Sequence, residues 1–263
     1  MAIDYVLGVQ CEAKQNLGVE RLVTLHRTRI IARAALTQAR AGGDHRAAED
    51  ISLAVATNMV SGAPAASTTI AGLMARSAAL DAYGDECRTC PAAPHGAEFG
   101  CHQRINYPIA EDAEAWLMSR LPKSLDSAAG ALLVRGMQEF TWDGAPVAKL
   151  RTRAGEFLES RVPYGVRWQL DGKPVEVSSD QLLQMMFFVG HLAPTHCLML
   201  ALFVGAVSHD ASFHDLKDSA GRAKLMHAAV IERQADPAVE QVAAFLRAVL
   251  AAARLEVPLF IDG

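Results

Sequence analysis

The segment at residues 85–108, DECRTCPAAPHGAEFGCHQRINYP, is the feature that most constrains the fold of this chain. It holds three of the five cysteines and lacks the apolar spacing that a helix requires. Cys87 and Cys90 form a Cys-x-x-Cys pair, and Cys101 follows beside His102. A connection this long without secondary structure is uncommon in a compact domain unless something such as a metal ion holds it. The segment therefore predicts a metal-binding loop.

Zn²⁺ is the metal that these residues favour. A structural zinc site takes four ligands, and a Cys-x-x-Cys turn supplies two thiolates. Cys101 is the predicted third ligand. For the fourth we prefer Cys11 to His102 or His95, because a strand end can bring a thiolate from far along the chain, and because adjacent residues rarely point at one ion without strain. The predicted metal ligands are Cys11, Cys87, Cys90 and Cys101.

Two other chemistries use the same cysteines. Four thiolates also suit an iron–sulfur cluster, although cluster cysteines usually lie closer together in sequence than Cys11 lies to Cys87. A thiol redox pair requires a low thiolate pKa, which a helix N-terminus provides. Here the pair follows the predicted C-terminal end of a helix, so an activated thiol is disfavoured. Four protein thiolates leave no place for water, so the site is predicted to be structural; an open site of three cysteines and a water is the enzymatic alternative.

The composition and charge of the chain indicate which classes of partner to expect. The chain has 263 residues, of which 51% are hydrophobic, and a net charge of −4 with both signs interspersed. This favours a sizeable core and predicts neither nucleic acid nor an anionic membrane surface as a partner. The first ten residues, MAIDYVLGVQ, lack the features of a signal peptide, so we expect a cytoplasmic protein. Reducing conditions there disfavour structural disulfides.

The predicted fold class is mainly α with a minor β component, in a single metal-stapled globular domain over residues 1–263. Short strands are predicted at 2–10 and 257–261, and we expect these two terminal strands to pair. Asp171-Gly172 between alternating segments predicts a β-hairpin near 166–177. A soft subdivision at 144–165, where the helical pattern ends, is the alternative to one continuous domain.

The remaining predicted elements are helices, which are indicated by the helical spacing of apolar residues. The predicted helices are 19–41, 46–60, 67–83, 111–121, 124–140, 147–159, 182–192, 195–207, 220–234 and 237–256. The very apolar pair at 182–207 has arms shorter than the about 20 residues that a membrane span needs, so no membrane span is predicted. It predicts a buried helical hairpin or a homo-oligomer interface. The residues of that interface would be Met185, Met186, Phe187, Phe188 and Phe203.

Other reactive residues are interpreted structurally. Cys197 lies in an apolar helix and is expected to be a buried small hydrophobe. His191 and His196 flank a helix break, where a polar cap and a solvent-facing residue are expected. The segment at 208–215, with two His-Asp pairs, is interpreted as a polar loop, because a hydrolase site requires several convergent groups. Neither a Gly-x-Ser-x-Gly elbow nor a glycine-rich phosphate loop is present.

These observations lead to a functional hypothesis. We expect a non-enzymatic scaffold, adaptor or regulatory protein with a structural cysteine-ligated metal, whose helical surfaces bind a protein partner or a second copy of the chain. The alternative is an iron–sulfur or thiol-based redox or sensor protein that uses the same cysteines.

Overall fold

The protein is described from a computed structural model, which covers residues 2–55, 66–93, 98–153, 155–170 and 172–262. The chain forms two compact units. One unit comprises Met1–Val9 and Cys101–Gly263, and the other comprises Gln10–Gly100. The division falls at the two ends of Gln10–Gly100. The soft subdivision at 144–165 stays a prediction. The interpretation of residues 1–263 as one domain stays a prediction.

The elements have the following bounds. The α-helices are α1 (Glu12–Leu17), α2 (Val19–Ala41), α3 (Ile70–Arg76), α4 (Gly84–Thr89), α5 (Glu111–Ser119), α6 (Ala128–Glu139), α7 (Ala145–Arg151), α8 (Ser179–Phe187), α9 (Pro194–Phe203), α10 (Phe213–Lys217), α11 (Ser219–Ala228) and α12 (Pro237–Arg254), and a 3-10 helix spans Ala78–Tyr83. The strands are β1 (Ala2–Leu7), β2 (Ser52–Val55), β3 (Ala66–Thr69), β4 (His102–Asn106), β5 (Gly165–Leu170), β6 (Lys173–Ser178), β7 (His191–Leu192) and β8 (Leu259–Asp262).

The predicted fold class, mainly α in a metal-stapled domain, is wrong. The structure is about 53% helical with 15% strand. The described residues form one four-stranded and two two-stranded sheets, which indicates a mixed α/β architecture. The prediction missed β2, β3, β4 and β7, because these short strands lack a clear β pattern and form only when a partner strand is present.

The first unit is built around a four-stranded sheet with strand order β4-β1-β8-β7. Strand β1 pairs antiparallel with β8, as in Leu7 opposite Leu259, so the predicted pairing of the terminal strands is confirmed. On its other edge β1 pairs antiparallel with β4, with Tyr5 opposite Gln103. Both faces of β1 are buried, with Ile3, Tyr5 and Leu7 on one face and Asp4 and Val6 on the other.

Helix α12 fills the centre of this unit. Asp236 caps it by accepting from the amides of Ala238 and Val239, and Pro237 occupies its first turn, as the Asp-Pro signal predicts. The helix packs against α9, α5 and strands β1 and β4. The ring of Phe245 lies edge-on to Tyr5, 5.1 Å between centroids, and to Phe187, at 4.8 Å. These contacts fix α12 to the sheet.

The predicted hairpin is confirmed as β5 and β6, which pair antiparallel with Trp168 opposite Val175. Gly172 adopts a φ of 75°, the left-handed conformation that the turn requires. Asp171 lies outside the described residues. Helix α8 follows, and Ser178 and Gln181 form a capping box at its start.

The second unit contains α1 to α4 and the hairpin of β2 and β3, in which Leu53 lies opposite Thr68. Helix α2 has the predicted bounds and packs against α1, α3 and the 3-10 helix. It is tied to the 3-10 helix by Arg29, whose guanidinium donates to Asp81 at 2.6 Å and to the carbonyl of Ser77 at 2.7 Å.

Two predicted helices in this unit are replaced by shorter elements. The segment at 46–60 forms turns and then β2, and its residues 56–60 lie outside the described residues. The segment at 67–83 begins as β3, continues as α3 and ends as the 3-10 helix. A predicted hydroxyl cap is present, because the Oγ1 of Thr69 accepts from the amide of Gly72 at 3.0 Å. Pairing of β2 with β3 prevails over the helical propensity of these segments.

The apolar helices α8 and α9 are largely buried within the chain. Met185, Met186 and Phe203 are fully buried within the chain and Phe187 is nearly so, which leaves only Phe188 of the five predicted interface residues exposed, at 43%. Self-association of the chain stays a prediction. In the part of the chain that the structure describes, no helix has the length and apolar character to cross a membrane.

Candidate metal centre

The cysteine segment is not the open loop that its sequence predicts. Residues 84–89 form α4, and residues 102–106 form β4. Gly84, predicted to end a helix, begins one; Asp85 and Glu86 occupy the first turn of α4 and suit its macrodipole. The prediction of a long connection held only by a metal is therefore wrong, because local hydrogen bonds order both of its ends.

Cys87 and Cys90 lie at the end of α4. Cys87 is inside the helix and buried, whereas Cys90 is the C-cap residue with extended backbone. The amide of Cys90 donates to the carbonyl of Cys87 at 3.3 Å, and the amide of Ala93 donates to the carbonyl of Cys90 at 2.9 Å. Pro91 cannot continue the helix, so the chain turns directly after the pair. The turn keeps both side chains in one small region.

Cys11 is the N-cap residue of α1, with extended backbone and no side-chain capping bond. The amide of the next residue, Glu12, donates to Oε1 of Glu86 at 3.0 Å and so ties the start of α1 to α4. Cys11 packs, partly buried, against an apolar cluster. The members of that cluster are Ala13, Leu22, Leu80, Cys87 and Phe99. The structure thus brings Cys11 close to the cluster that contains Cys87.

The pKa of Cys87 depends on the two other thiols, Cys11 and Cys90. Burial raises the pKa of Cys87, a hydrogen bond from the backbone amide of Phe99 lowers it, and negative charge on Cys11 or Cys90 raises it again. All three residues are thiols and not disulfides. Cys11, Cys87 and Cys90 therefore share one environment, in which the thiols influence one another.

Phe99 is held in an unusual conformation next to this cluster. Its φ of 56° lies in the left-handed region that non-glycine residues rarely adopt. Its ring contacts His26 at 5.4 Å between centroids, and the guanidinium carbon of Arg29 lies 6.0 Å from the ring centre. This conformation directs the amide of Phe99 to the sulfur of Cys87. A backbone amide that donates to a thiolate stabilises its charge, which suits a metal ligand.

The remaining predicted ligand and its neighbour belong to the other unit. Cys101 is buried, and its carbonyl accepts from the amide of Leu7 at 2.9 Å. Nε2 of His102 lies 2.8 Å from Oδ1 of Asp4, with both side chains buried. His95, the other candidate, lies outside the described residues. The set of four cysteines as metal ligands stays a prediction.

No preformed metal cage is found among residues 2–55, 66–93, 98–153, 155–170 and 172–262. Within them, no three or more His, Cys, Asp or Glu side chains are already arranged so as to hold a metal ion. The three converging cysteines would therefore have to reorient their side chains to bind one.

Cys197 and the two histidines near it lie in the first unit. Cys197 is fully buried, its sulfur lies 3.8 Å from the carbonyl of Leu192, and burial raises its pKa to about 12. His191 is exposed on β7. His196, in the first turn of α9, stacks on Trp142 with 5.1 Å between ring centroids. Burial lowers the pKa of His196, and the nearby His191 lowers it further.

The polar residues of the segment at 208–215 form local hydrogen bonds. Ser212 and Asp215 form a capping box at the start of α10, with Oγ of Ser212 2.6 Å from Oδ2 of Asp215. Hydrogen bonding to Ser212 lowers the pKa of Asp215. Nε2 of His209 lies 3.3 Å from the carbonyl oxygen of Phe203. These bonds engage His209 and Asp215, one member of each His-Asp pair.

A buried charged network in the first unit was missed by the sequence analysis. Arg151 of α7 donates from Nη1 to Oε1 of Glu114 at 3.1 Å, from Nη2 to the second oxygen of Glu114, and from Nε to Oδ1 of Asp180 at 2.5 Å. Ser179 donates its hydroxyl to Glu114 at 2.8 Å. Burial opposes the charge of Arg151, but the two carboxylates raise its pKa. The network joins α5, α7 and α8, and no pattern in the sequence marks its members.

No family model, curated protein or solved structure matches this chain.

Proposed function

We propose that the protein is a non-enzymatic scaffold, adaptor or regulatory protein whose second unit is stabilised by a Zn²⁺ ion bound to Cys11, Cys87 and Cys90. The observation that carries the proposal is the convergence of Cys11 with the Cys-x-x-Cys pair from a distant part of the sequence. The reactivity of a cysteine, including metal binding, usually matters more than its packing, which supports a chemical role for these thiols.

The donor set fits a thiophilic ion. Thiolates bind Zn²⁺ with high affinity, and a Cys-x-x-Cys turn supplies two of the four ligands of many structural sites. The amide of Phe99 provides the outer hydrogen bond that ligating sulfurs commonly receive. Cys101, the further ligand predicted from the sequence, belongs to the other unit, and the proposal does not depend on it.

A structural role is favoured over thiol redox chemistry. A redox-active thiol requires a lowered pKa, whereas burial raises that of Cys87. The cysteine also lies at the C-terminal half of a short helix, where the dipole does not favour a thiolate. An iron–sulfur cluster needs the same four thiolates and is distinguished by its colour.

The test is the metal content of the purified chain. The protein is purified in reducing buffer, incubated with excess Zn²⁺ and desalted. Inductively coupled plasma mass spectrometry then measures the zinc content per chain. We expect one zinc ion per chain and a colourless protein. Cys11→Ser and Cys87→Ser should each lose most of the zinc, and the thermal midpoint of the wild type should fall on chelation, because metal binding contributes to folding free energy.

Cys197→Ser is the matched control, since Cys197 is a buried cysteine outside the cluster. It should retain the zinc of the wild type. The proposal is wrong if the wild type binds no zinc, or if Cys11→Ser and Cys87→Ser both keep the full content. A brown protein with visible sulfur-to-iron absorbance would instead support the iron–sulfur alternative.

A further inference from the structure

A cleft of about 590 Å³ lies in the first unit, between the end of α5, the segment before α6 and the segment after α9. Its volume is in the range of small-molecule sites in proteins. The side chains that matter here are Trp116, Arg120, Lys123, Ser208 and His209, with Asp210 at the exposed edge. The cleft is thus lined by one aromatic wall and several hydrogen-bond donors.

Arg120 is fixed in this cleft without a carboxylate partner. Its Nε donates to the carbonyl of Val204 at 2.9 Å, and its guanidinium carbon lies 5.2 Å from the ring centre of Trp116. Within the described residues it forms no ion pair. Burial lowers its pKa, and the charge of Glu232 only partly offsets this effect. A half-buried guanidinium interacts more strongly with an anion than an exposed one does, because the surroundings screen the charge less.

The rest of the cleft is also held in place. The ring of His209 packs over Gly205, where an added Cβ would come within 3.1 Å of the ring and where φ is 62°. The hydroxyl of Ser208 accepts from the amide of Asp210 at 3.2 Å, which orders the edge. Lys123 is exposed and can reach into the opening. The lining is therefore prearranged and does not depend on a ligand to form.

We propose that this cleft binds a small molecule that carries one carboxylate or phosphate group and an apolar or flat body. Arg120 and Lys123 hold the anionic group, since a guanidinium presents paired donors that match both oxyanions. The body of the ligand lies against Trp116. Asp210 and Glu232 add negative charge nearby, so the site takes one carboxylate or phosphate group in preference to a polyphosphate.

Isothermal titration calorimetry with benzoate, phenyl phosphate and neutral benzyl alcohol tests this proposal. We expect saturable binding of benzoate or phenyl phosphate and weaker binding of benzyl alcohol; the better anion identifies the group. Lys123→Met should weaken binding about tenfold, the effect of one charge-assisted hydrogen bond. Arg120→Met should weaken it at least as much, and added salt should weaken it further.

Lys123→Met carries the test if Arg120→Met disturbs the fold through its lost bond to Val204. Lys173→Met, an exposed lysine on β6, is the matched control and should bind as the wild type does. Absence of saturable binding for both anions, equal binding of benzyl alcohol, or unchanged affinity in the folded Lys123→Met variant would overturn the proposal.

Discussion

His102 and Asp4 form a buried pair on adjacent strands, with Nε2 of His102 2.8 Å from Oδ1 of Asp4. In the register of β1 and β4, His102 lies opposite Val6 and Asp4 opposite Arg104. The contact therefore runs diagonally across the two strands, where side chains on one face still reach each other. It engages one ring nitrogen of a histidine that the sequence offers as a metal ligand.

This pair makes Asp4 important for stability. Asp4→Asn should lower the free energy of unfolding by about 1–3 kcal/mol, because a buried charge-assisted hydrogen bond is weakened. Chemical denaturation followed by circular dichroism measures the change. The matched control is Asp112→Asn, on an exposed position of α5, for which we expect a change of at most about 0.5–1 kcal/mol. Equal effects of the two substitutions would contradict the prediction.

The network of Arg151 with Glu114 and Asp180 predicts a larger loss. Arg151→Met should destabilise the protein by about 3–5 kcal/mol, because it leaves two buried carboxylates without their cation. Arg151→Lys should also be strongly destabilising, since an ammonium cannot reproduce the forked donors. Equilibrium denaturation in urea measures the free energy of unfolding of both variants.

Arg135→Met provides the control for this network. Arg135 is exposed on α6 and pairs with Glu139 one turn away, an arrangement worth at most about 0.5 kcal/mol. If Arg151→Met cost no more than Arg135→Met, the buried network would not be a main stabilising contact.

Gly130 is required by close backbone contact at the start of α6. A Cβ at this position would lie 2.5 Å from Cα of Leu125 and 2.7 Å from the carbonyl oxygen of Ser124. Gly130→Ala should therefore destabilise the protein by about 1–3 kcal/mol, despite the higher helix propensity of alanine. Gly42→Ala is the control, because its Cβ would come no closer than 3.4 Å to its neighbours. Differential scanning calorimetry should show a lower melting temperature for Gly130→Ala alone.

The buried hydroxyl of Tyr5 leads us to expect a loss of folding stability at alkaline pH. Burial raises the pKa of Tyr5 well above its ordinary value of 10. As the pH rises past 10, the unfolded chain loses this proton while the folded chain keeps it, so folding stability falls, with a limiting slope of about 1.4 kcal/mol per pH unit. Below pH 10 the contribution is fully present.

Tyr5→Phe should remove this component, so that its stability declines less steeply than that of the wild type between pH 10 and 11 in denaturation experiments. The hydroxyl also donates to Oε1 of Gln103 at 3.2 Å, so the variant has a lower stability near neutral pH as well. The prediction concerns the slope of the free energy of unfolding against pH and not its value at neutral pH. Parallel declines of the two proteins would refute it.

Local signals in the sequence were sufficient for several elements. The Asp-Pro start of α12, the serine cap of α8 and the glycine turn of the hairpin each act within a few residues. The bounds of α2 follow from its apolar spacing and its terminal glycines. The Cys-x-x-Cys pair is likewise recognisable from the sequence alone, because its spacing is local.

Tertiary structure decided the rest, because the determining contacts join residues far apart in the chain. The short strands β2, β3 and β4 exist only in pairs, so the sequence of one strand does not reveal them. Glu114 has the pattern of an exposed acid in a first helical turn, but Arg151 makes its burial favourable. The cysteine pair lies in a helix and not in an open loop, and Cys11 reaches it through the fold of α1 on α4. The sequence alone determined which residue types can bind a metal here; only packing determined which of them meet.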